Sequence, residues 1–191
     1  MVYFYHMETT SILAEQLNHY LSLATIVGMV VVLLFASAIS YFSMKNTSVK
    51  IFTLLSRYVF PLGFLITFGG AFLTLFYSEV LGYVPCDLCW YQRVFLYPQI
   101  FLFAYAWYKK DRNILPYTLM LSIIGLVVAL YHHTLQIGYD LYKPCSTSPF
   151  AVDCAKPSFI EFGFVTFPFM AVVLFGFLTI LITCAIRFKK N

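Results

Sequence analysis

Charged side chains are scarce in this chain, which has 12 Lys and Arg and 8 Asp and Glu among 191 residues. With 61% hydrophobic residues, a soluble domain of this size could not bury all of its apolar surface. The sequence also lacks internal repeats, low-complexity tracts and a glycine-rich phosphate-binding loop, which excludes repeat architectures and that mode of nucleotide binding. The composition therefore indicates an integral membrane protein.

Charge-free stretches predict five transmembrane helices. A helix needs ~20 residues to cross about 30 Å of hydrocarbon. Four stretches meet this length, and the third becomes long enough if its helix starts near Cys86. The stretches are 21–44, 58–78, 94–108, 113–139 and 162–186. We predict an all-α integral membrane protein, in which residues 1–50 carry an extra N-terminal transmembrane helix and residues 51–191 form a four-helix transmembrane bundle.

Positive charges are concentrated on one side of these predicted spans. Nine of the twelve Lys and Arg residues lie between spans one and two, between spans three and four, or after span five. The positive-inside rule places these segments in the cytoplasm, so the N-terminus and the other two loops are predicted to lie outside. The basic bias is thus a topology signal, and no nucleic-acid partner is predicted.

The N-terminal segment is predicted to be a helix and not a cleaved leader. Residues 1–19 contain no Lys or Arg and no apolar core before a small-residue cleavage site, so we expect no cleavable signal peptide. The segment TTSILAEQLNHYLS has apolar residues at helical spacing, which favours an interfacial helix leading into the first span.

Four of the five cysteines fall in the predicted outside loops. Cys86 and Cys89 form a CxxC pair, and Pro85 before them is suited to the first position of a helix. At a helix N-terminus both sulfurs share one face, and free N–H groups with the helix dipole lower the pKa of a thiol. Because a thiolate both attacks and leaves readily, this pattern is typical of a redox site.

The second pair lies in the segment KPCSTSPFAVDC, where eight residues separate Cys145 from Cys154. The prolines and small polar residues predict a flexible, exposed loop whose disulfide a partner protein can reach. Two structural disulfides, or a zinc site of four cysteines, are the alternatives that the cysteines alone leave open. A CxxC disulfide closes too small a ring to constrain much of the chain. Cys184, in the fifth span, is interpreted as a small apolar packing residue.

Cationic and titratable groups are expected at the same membrane level as the CxxC pair. Arg93 follows Cys89 by four residues and so shares its helix face. His132 and His133 fall near the outer end of the fourth span. An arginine that reaches lipid headgroups, and hydrogen-bonded histidines, would also explain these residues. Together with two thiols, however, they suit a quinone, whose carbonyl needs a donor or cation and whose reduction needs protons.

These residues carry a resemblance to a known family. The segment PCDLCWYQR resembles the P-C-x-L-C-x-Y-x-R motif of the DsbB family of membrane disulfide-bond formation proteins. CWYQRVFLYP is most similar to the short-loop BdbC type, and YHHTLQ resembles the segment that ends the family's penultimate helix. The resemblance covers roughly residues 54–186. It implies a four-helix redox unit.

The resemblance implies a quinone site, for ubiquinone or menaquinone. Cys86 and Cys89 would pass electrons to the quinone, with Cys89 nearest to it. Arg93 would lie beside the quinone and polarise it. His133 matches the family's quinone-proximal histidine, and His132 is its neighbour, without an assigned role.

The resemblance also implies a protein partner. Cys145 and Cys154 would oxidise a DsbA-like thioredoxin-fold protein, and Cys145 would form the mixed disulfide. The chain is thus predicted to be a disulfide-forming protein dithiol:quinone oxidoreductase of the bacterial cytoplasmic membrane, with its redox cysteines on the extracytoplasmic side. The alternatives are a small membrane scaffold or transporter with two structural disulfides, and a quinone or vitamin K epoxide reductase. In the reductase family the quinone-side CxxC follows the loop pair, whereas here it precedes it.

Two departures from the family pattern are expected to matter. The predicted span 21–44 has no counterpart in the usual four-helix unit. The eight residues between the cysteines of the second pair leave little room for a loop helix lying on the membrane.

Overall fold

The chain is mainly helical in the regions described by the computed structural model, which are residues 2–44, 50–139, 145 and 152–188. A π-helical turn (Phe76–Val80) continues α3, and a 3₁₀ turn (Arg112–Ile114) leads into α5. The α-helices are α1 (Val2–Met44), α2 (Lys50–Arg57), α3 (Val59–Leu75), α4 (Asp87–Lys109), α5 (Leu115–Gln136) and α6 (Phe167–Arg187). Strand-like pairing in these regions is limited to one bridge, between Glu161 and Val165. The predicted all-α class is confirmed.

Helix length and composition confirm a multi-pass membrane protein. Within the described residues, four stretches are long and apolar enough to cross a bilayer: Ile12–Phe42, Val59–Val80, Arg112–Gln136 and Phe167–Arg187. The less apolar α4 packs between α3 and α5. Its 23 residues rise about 35 Å at 1.5 Å per residue. The predicted bundle of four helices with one extra N-terminal helix is therefore present.

The four bundle helices follow one another around a common core. Neighbours in sequence pack closely from α3 to α6, whereas α3 and α6, which close the bundle, contact each other least. Phe103 and Phe175 are buried at the centre of the core. A Cβ added at Gly63 would lie 2.6 Å from the Phe103 ring. This glycine therefore lets α3 and α4 approach, as small residues do in membrane helix pairs.

The N-terminal helix continues into the first predicted span. The sequence predicts an interfacial helix leading into that span, and α1 runs through both segments as a single helix of 43 residues. The reason is that no proline interrupts residues 2–44 and the single glycine, Gly28, lies in an apolar stretch. α1 packs along α6. At one end of the molecule, Phe52 of α2 is 1% exposed and its ring stacks on Phe188 with centroids 4.9 Å apart.

Candidate redox site

The CxxC pair lies at the start of α4. Cys86 is the N-cap residue with an extended backbone (φ −76°, ψ 172°), and its sulfur accepts a hydrogen bond from the Cys89 N–H at 3.4 Å. The two sulfurs are 2.8 Å apart. Pro85 therefore precedes the cap, and its predicted place as the first helical residue is wrong, because the Cys86 sulfur takes the capping role. The shared face predicted for the two thiols is confirmed.

The surroundings of Cys86 favour its thiolate. The hydrogen bond with the Cys89 thiol lowers the pKa of Cys86 most, and the neighbouring His132 lowers it further. Burial opposes both effects, since Cys86 is 6% exposed. The net pKa falls well below the ordinary value, so the dithiol carries its negative charge on Cys86 and Cys89 donates the hydrogen bond.

His132 connects the CxxC pair with the second loop. Its imidazole is fully buried, and Nε2 lies 3.6 Å from the Cys86 sulfur and 3.2 Å from the Cys154 carbonyl oxygen. The Gln92 amide nitrogen lies 3.0 Å from Nδ1. A second amide nitrogen, from Gln136, lies 3.3 Å from Nε2, so each ring nitrogen has an amide neighbour. Nε2 is the nitrogen that faces both Cys86 and Cys154.

The second pair lies directly on the first. Cys145 and Cys154 form a disulfide with Cα atoms 6.4 Å apart. Cys154 packs in one cluster with Cys86, Leu88 and Leu135. The expectation of an exposed pair is wrong for Cys154, which is 1% exposed because it lies in this cluster. The intervening residues 146–151, on which the loop prediction also depended, lie outside the described residues.

A cavity of about 280 Å³ adjoins the CxxC pair and is lined by both Cys89 and Arg93. Its wall comes from α1, α3, α4, α6 and the turn before α4, and most of the lining side chains are apolar. Arg93 is only 8% exposed. The predicted combination of a thiol and a cation on one face of α4 is therefore present, and the face opens into a cavity.

The end of α3 and the π-helical turn after it hold Arg93 in place. One guanidinium nitrogen donates to the Thr74 carbonyl at 2.9 Å and to the Ser78 hydroxyl at 3.1 Å. The guanidinium carbon lies 5.0 Å from the centroid of the Trp90 ring. The Leu81 N–H bonds to the Phe76 carbonyl, five residues back, and such turns are frequent at functional sites. The remaining guanidinium N–H groups make no hydrogen bond within the described residues.

The two histidines are placed differently. His133 Nδ1 lies 3.2 Å from the Thr166 hydroxyl, and its ring packs on Phe169 with centroids 5.0 Å apart. Neither histidine lines the cavity. The assignment of His133 as the quinone-proximal histidine stays a prediction, and the structure brings His132, not His133, to the cysteines. Cys184 is fully buried near the far end of α6.

Sequence reasoning missed three groups of the site. Gln92 stands three residues after Cys89, a spacing that could have placed it on the same helix face. Thr74 and Ser78 precede the CxxC pair, and no sequence pattern indicates that the end of α3 and a π-helical turn present them to Arg93.

Three groups of this site could also ligate a metal ion. The sulfurs of Cys86 and Cys89 and an imidazole nitrogen of His132 lie within 4.8 Å of one another. The alternative of a zinc site with four cysteines is not met, because Cys145 and Cys154 are bonded to each other.

Comparisons with known proteins identify the family. The family model described as disulfide bond formation protein DsbB matches residues 56–185. The chain therefore belongs to the DsbB family, as the resemblance predicted. It is similar to the "SPbeta prophage-derived disulfide bond formation protein B" of Bacillus subtilis, at 40% identity over 63% of this chain and 82% of the relative.

Two further relatives show the same relationship. "Disulfide bond formation protein C" of Bacillus subtilis is 33% identical over 62% of this chain and 84% of the relative. The "Probable disulfide formation protein" of Oceanobacillus iheyensis is 44% identical over 53% and 70%. No solved structure matches the chain significantly.

Proposed function

We propose that this protein is a membrane thiol oxidase that forms the disulfide of a thioredoxin-fold partner and passes the electrons to membrane quinone. The observation that carries the proposal is the cavity that Cys89 and Arg93 share. The names of the relatives, which describe disulfide bond formation, support the first half of the reaction. The quinone and the DsbA-like partner are the finer part of the proposal.

The cavity suits the ring of a quinone. Its volume of about 280 Å³ is near the lower end of the range for small-molecule sites, about 300–1,000 Å³, so it fits a ring and not a whole isoprenoid tail. The cation and N–H donors of Arg93 suit a carbonyl oxygen, and apolar side chains suit the ring. A quinone bound there supplies the oxidant, since it takes up the two electrons and two protons released as the Cys86–Cys89 disulfide forms.

The protein's own residues perform the thiol–disulfide exchange. A partner thiolate attacks Cys145 and breaks its bond to Cys154, and the partner's second thiolate then resolves the mixed disulfide. The partner leaves oxidised, with Cys145 and Cys154 reduced. This dithiol next attacks the Cys86–Cys89 disulfide, which restores the Cys145–Cys154 disulfide. When Nε2 of His132 is protonated it can donate a hydrogen bond to the Cys86 thiolate, because Nε2 and the sulfur lie 3.6 Å apart.

The sidedness of the protein is part of this proposal. The cysteine loops would face the extracytoplasmic space of a bacterium, where disulfides persist, and the N-terminus would lie on the same side. Residues 51–191 would form the redox unit and residues 1–50 the extension. The positive charges of the other loops support this orientation.

The test is quinone reduction by purified protein supplied with a reduced thioredoxin-fold dithiol protein. We expect ultraviolet absorbance to show quinone consumption by the parent, and its loss in Cys89→Ser and Cys145→Ser. Arg93→Ala should reduce kcat/KM by roughly tenfold or more, because a charged hydrogen bond is worth about 1.5–3 kcal/mol. Cys184→Ser, distant from the site, is the control. No consumption of ubiquinone or menaquinone analogues, with all outer cysteines stably paired, would instead favour structural disulfides.

A further inference from the structure

The cavity beside Cys89 and Arg93 lies between α3 and α6, where the four-helix bundle is least closed. Its lining includes Thr74 and Ser78 on the α3 side and Met170 and Leu174 on α6, the two bundle neighbours that contact each other least. The family match begins at residue 56 and therefore leaves out α1. Yet Leu21 and Thr25 of α1 line the same cavity. The extra helix thus supplies part of a wall that the family unit does not contain.

The face of α1 that meets the bundle is polar near the cavity. Asn18 is 5% exposed and its Oδ1 accepts a 2.7 Å hydrogen bond from the hydroxyl of Tyr77, itself a cavity residue. Ser22, one turn further, is fully buried, and its hydroxyl has no partner among the described residues. Polar side chains in a membrane helix are costly when they face lipid and are typical of functional contacts. This face of α1 therefore makes specific polar contacts beside the cavity in addition to anchoring the chain in lipid.

The Thr25 hydroxyl of α1 does not offer the cavity a free hydrogen-bond donor, because it already donates to the Leu21 carbonyl at 2.7 Å. The charged group of the cavity, Arg93, is on α4. A wall of this kind suits the apolar edge of a ring and the start of its tail, whereas Arg93 suits a carbonyl oxygen.

We infer that α1 completes the quinone site, with Leu21 and Thr25 determining which quinone ring and tail fit and Asn18 positioning Tyr77. The inference rests on the proposed function. It assigns a role in substrate selection to a helix outside the family unit.

The experiment measures steady-state reduction of a one-ring ubiquinone analogue and a two-ring menaquinone analogue by the full-length protein. Leu21→Trp should raise KM for quinone by roughly tenfold or more, the usual effect of filling a fitted pocket, with kcat within about twofold of the parent. Leu21→Ala should raise kcat/KM for the two-ring analogue relative to the one-ring analogue, because it enlarges the cavity. The matched control is Leu23→Trp, since Leu23 is 43% exposed on the same helix.

The positioning role of Asn18 is tested with a double-mutant cycle. Asn18→Leu and Tyr77→Phe should each raise KM for quinone by roughly three- to tenfold, the value of one hydrogen bond. The double variant should be no worse than either single variant, since both remove the same bond. If Asn18 had a merely structural role, kcat would fall along with the change in KM. The effects of the two single substitutions would then add in the double variant.

Folding and function are separated by a half-reaction. Every variant should accept electrons from the reduced partner in a single turnover without quinone at the parental rate. If the parent reduces quinone and Leu21→Trp shows the parental KM and ring preference, the inference about α1 is wrong while the proposed function stands. If the parent reduces no quinone, the proposed function fails, and this inference fails with it.

Discussion

At the scale of single residues, His132 is the group that joins the two cysteine pairs. Nε2 is within reach of the Cys86 sulfur and the Cys154 carbonyl, and Gln92 holds the opposite side of the ring. A fixed imidazole of this kind stabilises one thiolate of the dithiol. The proposed exchange between the pairs would therefore take place beside a residue that contacts both Cys86 and Cys154.

The first prediction concerns the charge on Cys86. In reduced protein, the pKa of Cys86 is lowered, so thiolate absorbance should persist at neutral pH and disappear only as the pH falls through the lowered pKa. Linkage between protonation and folding gives the same sign for stability. The contribution of the Cys86 thiolate to the free energy of unfolding is complete above the ordinary thiol pKa, and it is lost as the pH falls through the lowered pKa. His132→Ala should move the absorbance midpoint to higher pH.

A matched variant makes this measurement specific. His133→Ala removes an adjacent imidazole that faces Thr166 and Phe169 instead of the cysteines, so the midpoint should stay at the parental pH. Equal midpoints for His132→Ala and the parent would show that His132 does not stabilise the thiolate.

At the scale of helices, close packing sets the position of α4. Gly63 of α3 faces the Phe103 ring of α4, and a Cβ there would lie 2.6 Å from the ring. Phe103 is fully buried and cannot move away freely. α4 in turn carries Cys89 and Arg93. The geometry of the site thus depends on a glycine that lies outside it.

The second prediction compares two glycines of α3. Gly63→Ala should destabilise the protein by about 1–3 kcal/mol, the usual cost of overpacking. Gly69→Ala should be neutral or slightly stabilising, because a Cβ at Gly69 has nothing within 4 Å. Thermal unfolding in detergent, followed by far-ultraviolet circular dichroism, measures both. Equal melting temperatures for the two variants would contradict the packing argument.

Sequence patterns predicted the elements better than their contacts. Charge-free length located the spans, since a bilayer imposes a minimum run of apolar residues. The CxxC spacing placed two sulfurs on one face, because that relation is local. The burial of Cys154 on Cys86, the π-helical turn that presents Ser78 to Arg93, and the approach of Leu21 to the cavity are long-range contacts. No local periodicity encodes them.

At the scale of the whole molecule, the two ends differ in charge and chemistry. Arg112 donates to the Ala185 carbonyl at 2.6 Å and to the Ser56 hydroxyl at 3.0 Å, which joins α2, α6 and the start of α5. The cysteine pairs lie at the opposite end, where α4 begins and α5 ends. The proposed orientation therefore assigns the Arg112 end to the cytoplasm.

The third prediction tests this orientation with two tyrosines. Tyr139, just after α5, is 65% exposed, and Tyr108, near the end of α4, is 80% exposed. In a background with the native cysteines replaced by serine, Tyr139→Cys should react with a membrane-impermeant maleimide in intact cells. Tyr108→Cys should react only after lysis. The reverse pattern would place the cysteine loops in the cytoplasm.

The packing of α1 on α6 also has a consequence for biogenesis. α1 is synthesised before α2 to α5, yet its main contacts are with α6, which follows them, and such distant pairings form late. During synthesis α1 therefore lacks its main helix partner until α6 has been made. The cavity that both helices line closes only once α6 has been made, so a nascent chain that ends before α6 carries the first cysteine pair before the proposed quinone site is complete.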